Sequence, residues 1–317
     1  MSLQVHRFPH INHKPFLKTL DRLNPEFNEL KKPHNRLKDL YPHPDSQPRF
    51  LIPLAGFRKD FIWDIEMENA IEEGVEKLDH DCFNSAESLL DFLAEKYRDY
   101  VNKRPVNMSE NYITKAGRWR KKDEGERCSI IRDARLPYEN RANALTGTEK
   151  GTPGEHIMTE KINGIPIELT RTRKTKENPA QTEWIYTKPL ISFSVVLPHI
   201  EDLFQEFLKL KNHLNKNNKY RTEENLNKAT KHIAEVHWWL AHGMFFYRGN
   251  AGIADMYTKI LFDSLGIDVE SWKNISPDME AFVTPLDEYI KNYPDFFMKR
   301  PNFISLQTHY SYPFSMN

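Results

Sequence analysis

The residues best placed to do chemistry are Tyr247-Arg248-Gly249-Asn250-Ala251-Gly252. Two glycines and an Asn permit positive φ there. A helical apolar period resumes just after, at Ile253, Met256, Tyr257, Ile260 and Leu261, and Gly266 stands where a C-terminal cap belongs. The first N–H groups of such a helix have no internal partner and carry the positive end of its dipole. A glycine-containing loop lets a phosphate approach those donors. Arg248 would reinforce an anion, and Asp255 would not. The same residues also fit a plain helical hairpin whose loop simply needs glycine.

Two other constellations are less suited to their chemistry. His232, Glu235, His237 and His242 invite a metal reading, but zinc-binding helices place ligands four residues apart on one face. Here the histidines are five apart, about 500° around a helix of 3.6 residues per turn. Cys128, His156 and Asp133 can be named as a nucleophilic triad, with Arg127 and Arg132 to lower the thiol pKa. The surroundings of Cys128 read as strand or loop, and any chain with a Cys, a His and an Asp offers such a set. No metal ligand set emerges.

The elements that must position these residues follow from periodicity. Leu226, Ala229, Ile233, Val236, Leu240 and Met244 form one helical face, with Trp238 and Trp239 as packing residues. Upstream, helices are expected at about 64–78 and after an Asn84-Ser85 cap, with Ala86, Leu89, Leu90, Leu93 and Tyr97 facing inward. Pro198 is expected to open a further helix, with Glu201 and Asp202 complementing its dipole and Leu203, Phe204, Phe207, Leu208 and Leu214 buried. A polar loop, Asn215 to Asn225, follows it. Two hairpins are candidates. One runs Arg118 to Arg120, turns at Asp123 to Gly125 and returns through Ile130-Ile131. The other pairs Ile165–Arg171 with Glu183–Thr187. Beyond Gly266, Ser276-Pro277-Asp278 and Thr284-Pro285-Leu286-Asp287 mark two helix starts. An aromatic tail from Pro294 is expected to lie against the body.

Composition narrows the class. Lys+Arg and Asp+Glu number 45 each, so no overall field favours nucleic acid or an anionic membrane. No aromatics alternate with basic residues on an expected sheet, as they do in nucleic-acid binders. No apolar run approaches a membrane span, and MSLQVHRFPHINHKPF lacks a signal-peptide apolar core. Two cysteines without a CxxC fit a reducing compartment. Residues 1–50, rich in Pro, His and basic groups, read as an extended arm whose His6, His10 and His13 are surface residues. Residues 51–115 read as a helical region packing on the core.

The stretch from Leu226 to Gly266 resembles the core of the Fic/Doc (Fido) family. In that family a long helix ends in His-Pro-Phe-x-Asp/Glu-Gly-Asn-Gly-Arg-x-x-Arg and a second helix follows. Gly249-Asn250 matches the family's Gly-Asn. Ala251 replaces the second Gly, Gly252 and Asp255 replace the two arginines, and Arg248 replaces the metal-holding acid. The ungapped register puts Met244 at the catalytic His, and His242 serves if the loop is two residues longer. The order of hairpin, helix, polar loop, helix, Gly-Asn loop and helix also follows the family. The whole is similar to divergent Fido proteins such as the AvrB-type bacterial effectors. The resemblance implies a mainly α (α+β) fold, a Fido-like helical bundle with one or two β-hairpins over residues 116–317. Ala116-Gly117-Arg118-Trp119-Arg120 loosely resembles the family's flap, which clamps a target polypeptide, and the second hairpin, just before Pro189, suits the flap's place in the family order equally.

The resemblance further implies a transferase that modifies a target-protein hydroxyl, in a host or other partner. The group would come from a diphosphate-bearing nucleotide or nucleotide-sugar donor. His242 would be the base. The amides of Gly249, Asn250 and Gly252 would hold the diphosphate, and Arg248, Arg118 and Arg120 would supply charge. With Arg248 in place of the acid, Mg²⁺ is left open. The alternative is an inactive Fido-like module that recognises a partner protein. Residence in a cytoplasm, including delivery into a host cytosol by a secretion system, accompanies either.

Overall fold

A computed structural model describes residues 61–103, 113–120, 129–131, 154–175, 184–273 and 276–304. Two helices come first, Phe61–Asp79 (α1) and Ala86–Lys103 (α2). Four strands follow: Ser129–Ile131 (β1), Gly154–Ile162 (β2), Ile165–Thr175 (β3) and Trp184–Pro189 (β4). Then come three long helices, Phe193–Asn215 (α3), Glu223–Gly243 (α4) and Asn250–Ser264 (α5). The last described elements are Ile267–Asp268 (β5), Pro277–Val283 (α6), Leu286–Asn292 (α7) and Asn302–Phe303 (β6). The expected mainly α fold with a small antiparallel sheet is what forms. Expectations for the arm, the Asp123–Gly125 turn, Cys128 and Asp133 lie outside the described residues, as does the aromatic tail beyond Ile304.

The core is built around α5. Every residue from Gly252 to Phe262 is buried, which is the signature of a helix enclosed on all sides. It packs on α1, α2 and α4, while α4 packs in turn on α3, α6 and α7. Trp238, Trp239, Tyr257, Phe204 and Phe207 fill the spaces between them. The start of α2 and the end of α5 match the sequence signals closely. Ser85 and Ser88 exchange hydrogen bonds at the start of α2, Ser85 Oγ accepting from the Ser88 amide at 3.1 Å. Gly266 has φ 64° just beyond α5, as a C-terminal closure requires.

Two expectations are corrected. Pro198 does not open α3: that helix starts at Phe193, with the Ser192 hydroxyl accepting from the Ser194 amide. Pro198 sits inside its second turn, where the missing N–H leaves one carbonyl unmatched. Glu201 serves a different helix from its own, for its Oε2 accepts from the Ala86 amide of α2 at 2.6 Å. Among the described residues the first hairpin also does not form. Ile130-Ile131 pairs with Tyr186-Ile185 of β4, and Trp119 bridges to Phe246 instead.

The second hairpin forms in a different register: Thr170–Thr175 of β3 pair with β4, Thr170 opposite Pro189 and Thr175 opposite Trp184, while Ile165–Glu168 pair with β2 instead. The sheet order is β1-β4-β3-β2. The β2–β3 hairpin is an addition. Asn163 and Gly164 both have positive φ, 52° and 79°, the backbone of a tight two-residue turn whose twist suits the flanking strands. The sheet's inner face mixes Met158, opposite Thr170, with threonines. Thr170, Thr172 and Thr187 are buried, and the last two share a hydroxyl hydrogen bond of 3.0 Å.

Within the core lies a buried ion pair. Lys259 Nζ is 3.2 Å from Asp255 Oδ1, and neither side chain reaches solvent appreciably. The Trp272 indole N–H donates to the same carboxylate at 3.0 Å, and the Lys259 ammonium lies 4.9 Å from the Trp272 ring centre. Breaking one member of such a pair strands the other. Lys259→Met is therefore expected to cost about 3–5 kcal/mol, seen as a lower urea midpoint. Adding Asp255→Asn should restore part of that loss. An unchanged midpoint for Lys259→Met would contradict the assignment.

Candidate functional site at the loop before helix α5

The loop from Met244 to Gly249 is set by its ends. Met244 ends α4 in the left-handed conformation, φ 40°, and its amide bonds back to Leu240 O. Gly249 precedes α5 with φ 97°. A Cβ at Gly249 would lie 2.6 Å from the Tyr97 ring, so both the dihedral and the close approach to α2 demand glycine. Asn250 then clamps the turn. Its Oδ1 accepts from the Phe246 amide at 2.8 Å and its Nδ2 donates to Phe246 O at 2.7 Å.

Residues 116–120 run beside this loop. The Gly117 amide donates to Arg248 O at 3.0 Å, the Tyr247 amide to Arg118 O at 2.8 Å, and the Arg120 amide to Phe245 O at 2.8 Å. Gly117, at φ 56°, lies against the Ala94 carbonyl of α2 with no room for a Cβ, and Arg98 donates to Gly117 O at 2.7 Å. Trp119 pins the arrangement, its ring centre 4.7 Å from that of Phe246 and its N–H donating to Asp91 at 2.6 Å. The six residues expected at an anion site thus lie on adjoining stretches of backbone: Arg118, Arg120, Arg248, Gly249, Asn250 and Gly252. Arg118 and Arg248 are exposed, Arg120 is half-buried with Nη2 donating to Gly243 O, and Gly252 is buried in the first turn of α5. Ile253 is the first amide of α5 bonded to a carbonyl four residues back, that of Gly249.

His242 stands apart from them in its environment. It is fully buried. Its Nε2 is 3.1 Å from Ala281 O in α6, which can only accept, so Nε2 carries the proton. Its Nδ1 then accepts from the Thr170 hydroxyl of β3 at 2.8 Å. Burial drives its pKa down to about 3, the Ala281 hydrogen bond opposing only part of that. His237 is held the same way: it is buried, sits beside the Tyr293 hydroxyl at 2.9 Å, and has its pKa lowered to about 3 by burial and by Lys259. Among the described residues no group of three or more His, Cys, Asp or Glu is arranged to hold a metal ion.

The sequence did not reveal the partners of His242 or the anchoring by Trp119, which both depend on segments far away along the chain. The Asn163-Gly164 pair was a legible signal for β2.

These histidines make stability depend on pH. Each is neutral when folded and protonates near pH 6.5 when unfolded, so the unfolded state binds more protons between about pH 6.5 and pH 3. Their stabilisation is full above pH 6.5 and is lost as the pH falls, at up to about 1.4 kcal/mol per pH unit for each. The melting temperature should fall between pH 6.5 and 5.5, and His242→Gln should flatten that slope. A melting temperature constant over this interval would contradict the burial assigned to them.

Residues 155–300 match the model of the avirulence protein family AvrB_AvrC. No curated protein matches the chain. The matched stretch runs from β2 to the residues just before β6 and includes the α4–α5 loop but not residues 116–120. Over this stretch the chain is similar to avirulence proteins, the effector type that the sequence pattern resembles.

Proposed function

We propose that the chain is an effector-type protein that engages a target protein and takes a phosphate-bearing ligand at the α4–α5 loop. One observation carries the ligand half of this reading. Backbone hydrogen bonds lay Gly117 beside Arg248, Arg118 beside Tyr247 and Arg120 beside Phe245, along the loop that leads to the N-terminus of a fifteen-residue helix through a glycine that no side chain can replace. Unmatched amides and positive dipole favour an anion there, and arginines match phosphate oxygens in pairs. The similarity to avirulence proteins supports the effector half.

The finer proposal is group transfer from a nucleotide or nucleotide-sugar donor to a target hydroxyl. The base in such a reaction would be a group other than His242. A general base must come within hydrogen-bond reach of the proton it takes, and both nitrogens of His242 are engaged inside the core. Its role in this reading is to hold α4 against β3 and α6. The Asn250 side chain is likewise committed to Phe246, leaving only its amide for a ligand. These two commitments favour a second reading, a recognition module that keeps the loop for its shape.

A thermal-shift panel of ATP, other nucleotides, CDP-alcohols and nucleotide sugars, with and without Mg²⁺, separates the readings. The ligand reading predicts a saturable rise with one class of donor, about 2.7 kcal/mol of stabilisation at one hundred times Kd. It also predicts loss of the rise in Arg118→Glu/Arg248→Glu. Both positions are exposed, and the variant's melting without ligand is read against the parent's, so that lost binding is told apart from lost stability. No rise with any ligand in folded protein would leave the recognition module.

A further inference from the structure

The stretch from Phe207 to Thr222 holds Lys209, Lys211, His213, Lys216, Lys219 and Arg221 and no acidic residue. It covers the last turns of α3 and most of the polar loop to α4. Lys211 is accounted for: it is buried, and its Nζ lies 2.9 Å from Asp79 Oδ1. His213 and Lys216 complement the negative end of the α3 dipole. That reason fades beyond the last turn of a helix and does not reach Lys219 or Arg221.

The loop that carries these two is ordered by its own hydrogen bonds. A single 3-10 turn, Asn218–Tyr220, starts with Asn217 Oδ1 accepting from the Lys219 amide at 2.9 Å. The Arg221 amide donates to Asn218 O at 3.0 Å, and Asn225 Nδ2 of α4 donates to Tyr220 O at 2.7 Å. The Tyr220 ring centre is 4.2 Å from that of His213, and Lys219 Nζ lies 5.0 Å from the same Tyr220 ring. Lys216 and Lys219 are exposed.

Arg221 is the residue that packing alone leaves unexplained. It is half-buried, and its guanidinium carbon lies 5.6 Å from the centre of the Phe303 ring in β6. A Cβ at Gly266 would fall 3.0 Å from both Nη1 and Nη2, so Gly266 closes α5 and also makes room for this group. Its Nε is buried without a partner, and among the described residues no hydrogen bond or ion pair engages the guanidinium. Arg173 and Arg300 are more exposed, yet each grips a carboxylate at 2.7 Å. An arginine that is partly enclosed is ordinarily paired, because its five donors need acceptors.

We propose that Arg221, with Lys219 and Lys216, is a docking site for an extended acidic segment of a partner polypeptide. A carboxylate fits the planar guanidinium fork with two parallel hydrogen bonds. Carboxylates on one side of an extended chain recur about every 7 Å, which suits cations strung along a loop better than one compact phosphate does. Exposed Glu223 and Glu224 border the patch at the start of α4, so the basic track is narrow. A broad anionic membrane surface would meet those acids as well. Arg221 lies against the C-terminal end of α5, and the α4–α5 loop lies at its other end, about 22 Å away along a fifteen-residue helix. The two sites are therefore separate, and this one does not depend on a ligand at the loop.

The test follows the Arg221 Nε–H by NMR, assigned with Arg221→Lys, at low ionic strength. Capped hexaglutamate is titrated into the full chain beside capped hexaglutamine, which has the same length without the charge. The expected result is a saturable shift with hexaglutamate and none with hexaglutamine. Binding of labelled hexaglutamate, read by fluorescence anisotropy, should be at least tenfold weaker in Arg221→Gln. Lys216→Gln/Lys219→Gln, at exposed positions, should weaken it several-fold, and its melting is read beside the parent's. That double variant decides the matter if Arg221→Gln does not fold. An unmoved Arg221 signal, an equal response to hexaglutamine or to pyrophosphate, or an unchanged affinity in the folded variants would overturn the proposal. So would retention on phosphatidylserine vesicles that hexaglutamate cannot compete away.

Discussion

The neutral imidazole of His242 is the joint on which this structure depends. It lies on α4, receives a proton from Thr170 of the sheet and donates one to Ala281 of α6. A helix, a sheet and the C-terminal helical pair thereby meet at one buried ring. Only the neutral form can make both bonds in this sense, and burial keeps it neutral over the whole physiological range. Trp238, whose ring centre is 4.0 Å from that of His242, ties the same region to Thr284 O. The residue that a family motif would make a base is here a structural pin.

What the pin positions is the end of α4, and with it the turn into α5. From Met244 on, each constraint passes to the next. A left-handed Met244 turns the chain, the Asn250 amide closes Phe246 to the helix start, and Gly249 lets the backbone lie on Tyr97. The segment 116–120 then adds itself to the outside through backbone hydrogen bonds. The result is the N-terminus of an enclosed helix, with Arg248 two residues before it and residues 117–120 hydrogen-bonded along the loop. An anion bound there would meet donors that need no rearrangement, which is what makes such a site worth having.

The helical hairpin was legible because its signal is local. Leu226 to Met244 and Ile253 to Leu261 repeat at helical spacing, and Gly249 and Gly266 punctuate them. The strands β3 and β4 were legible in the same way, through alternation, but their register was not, since Ile165–Glu168 pair with β2. What stayed hidden rests on long-range contacts. Arg118 and Trp119 carry no pattern that names residues 245–248 as their partners, so a local hairpin with Ile130-Ile131 looked equally good. His242 looked available because Thr170 and Ala281 lie 72 and 39 residues away and neither announces a hydrogen bond to it. Asp255, which a motif comparison makes a misplaced arginine, is explained by Lys259 one turn on, a pairing visible at a four-residue spacing.

The central claim is that the loop presents the first amides of α5 to an anion. The most direct measurement is an NMR titration of the protein with pyrophosphate, following the backbone amides of Asn250, Ala251 and Gly252. The account predicts saturable shifts at these three amides, with Ile253, already bonded to Gly249 O, moving much less. Shifts spread over surface lysines with these three unmoved would contradict it.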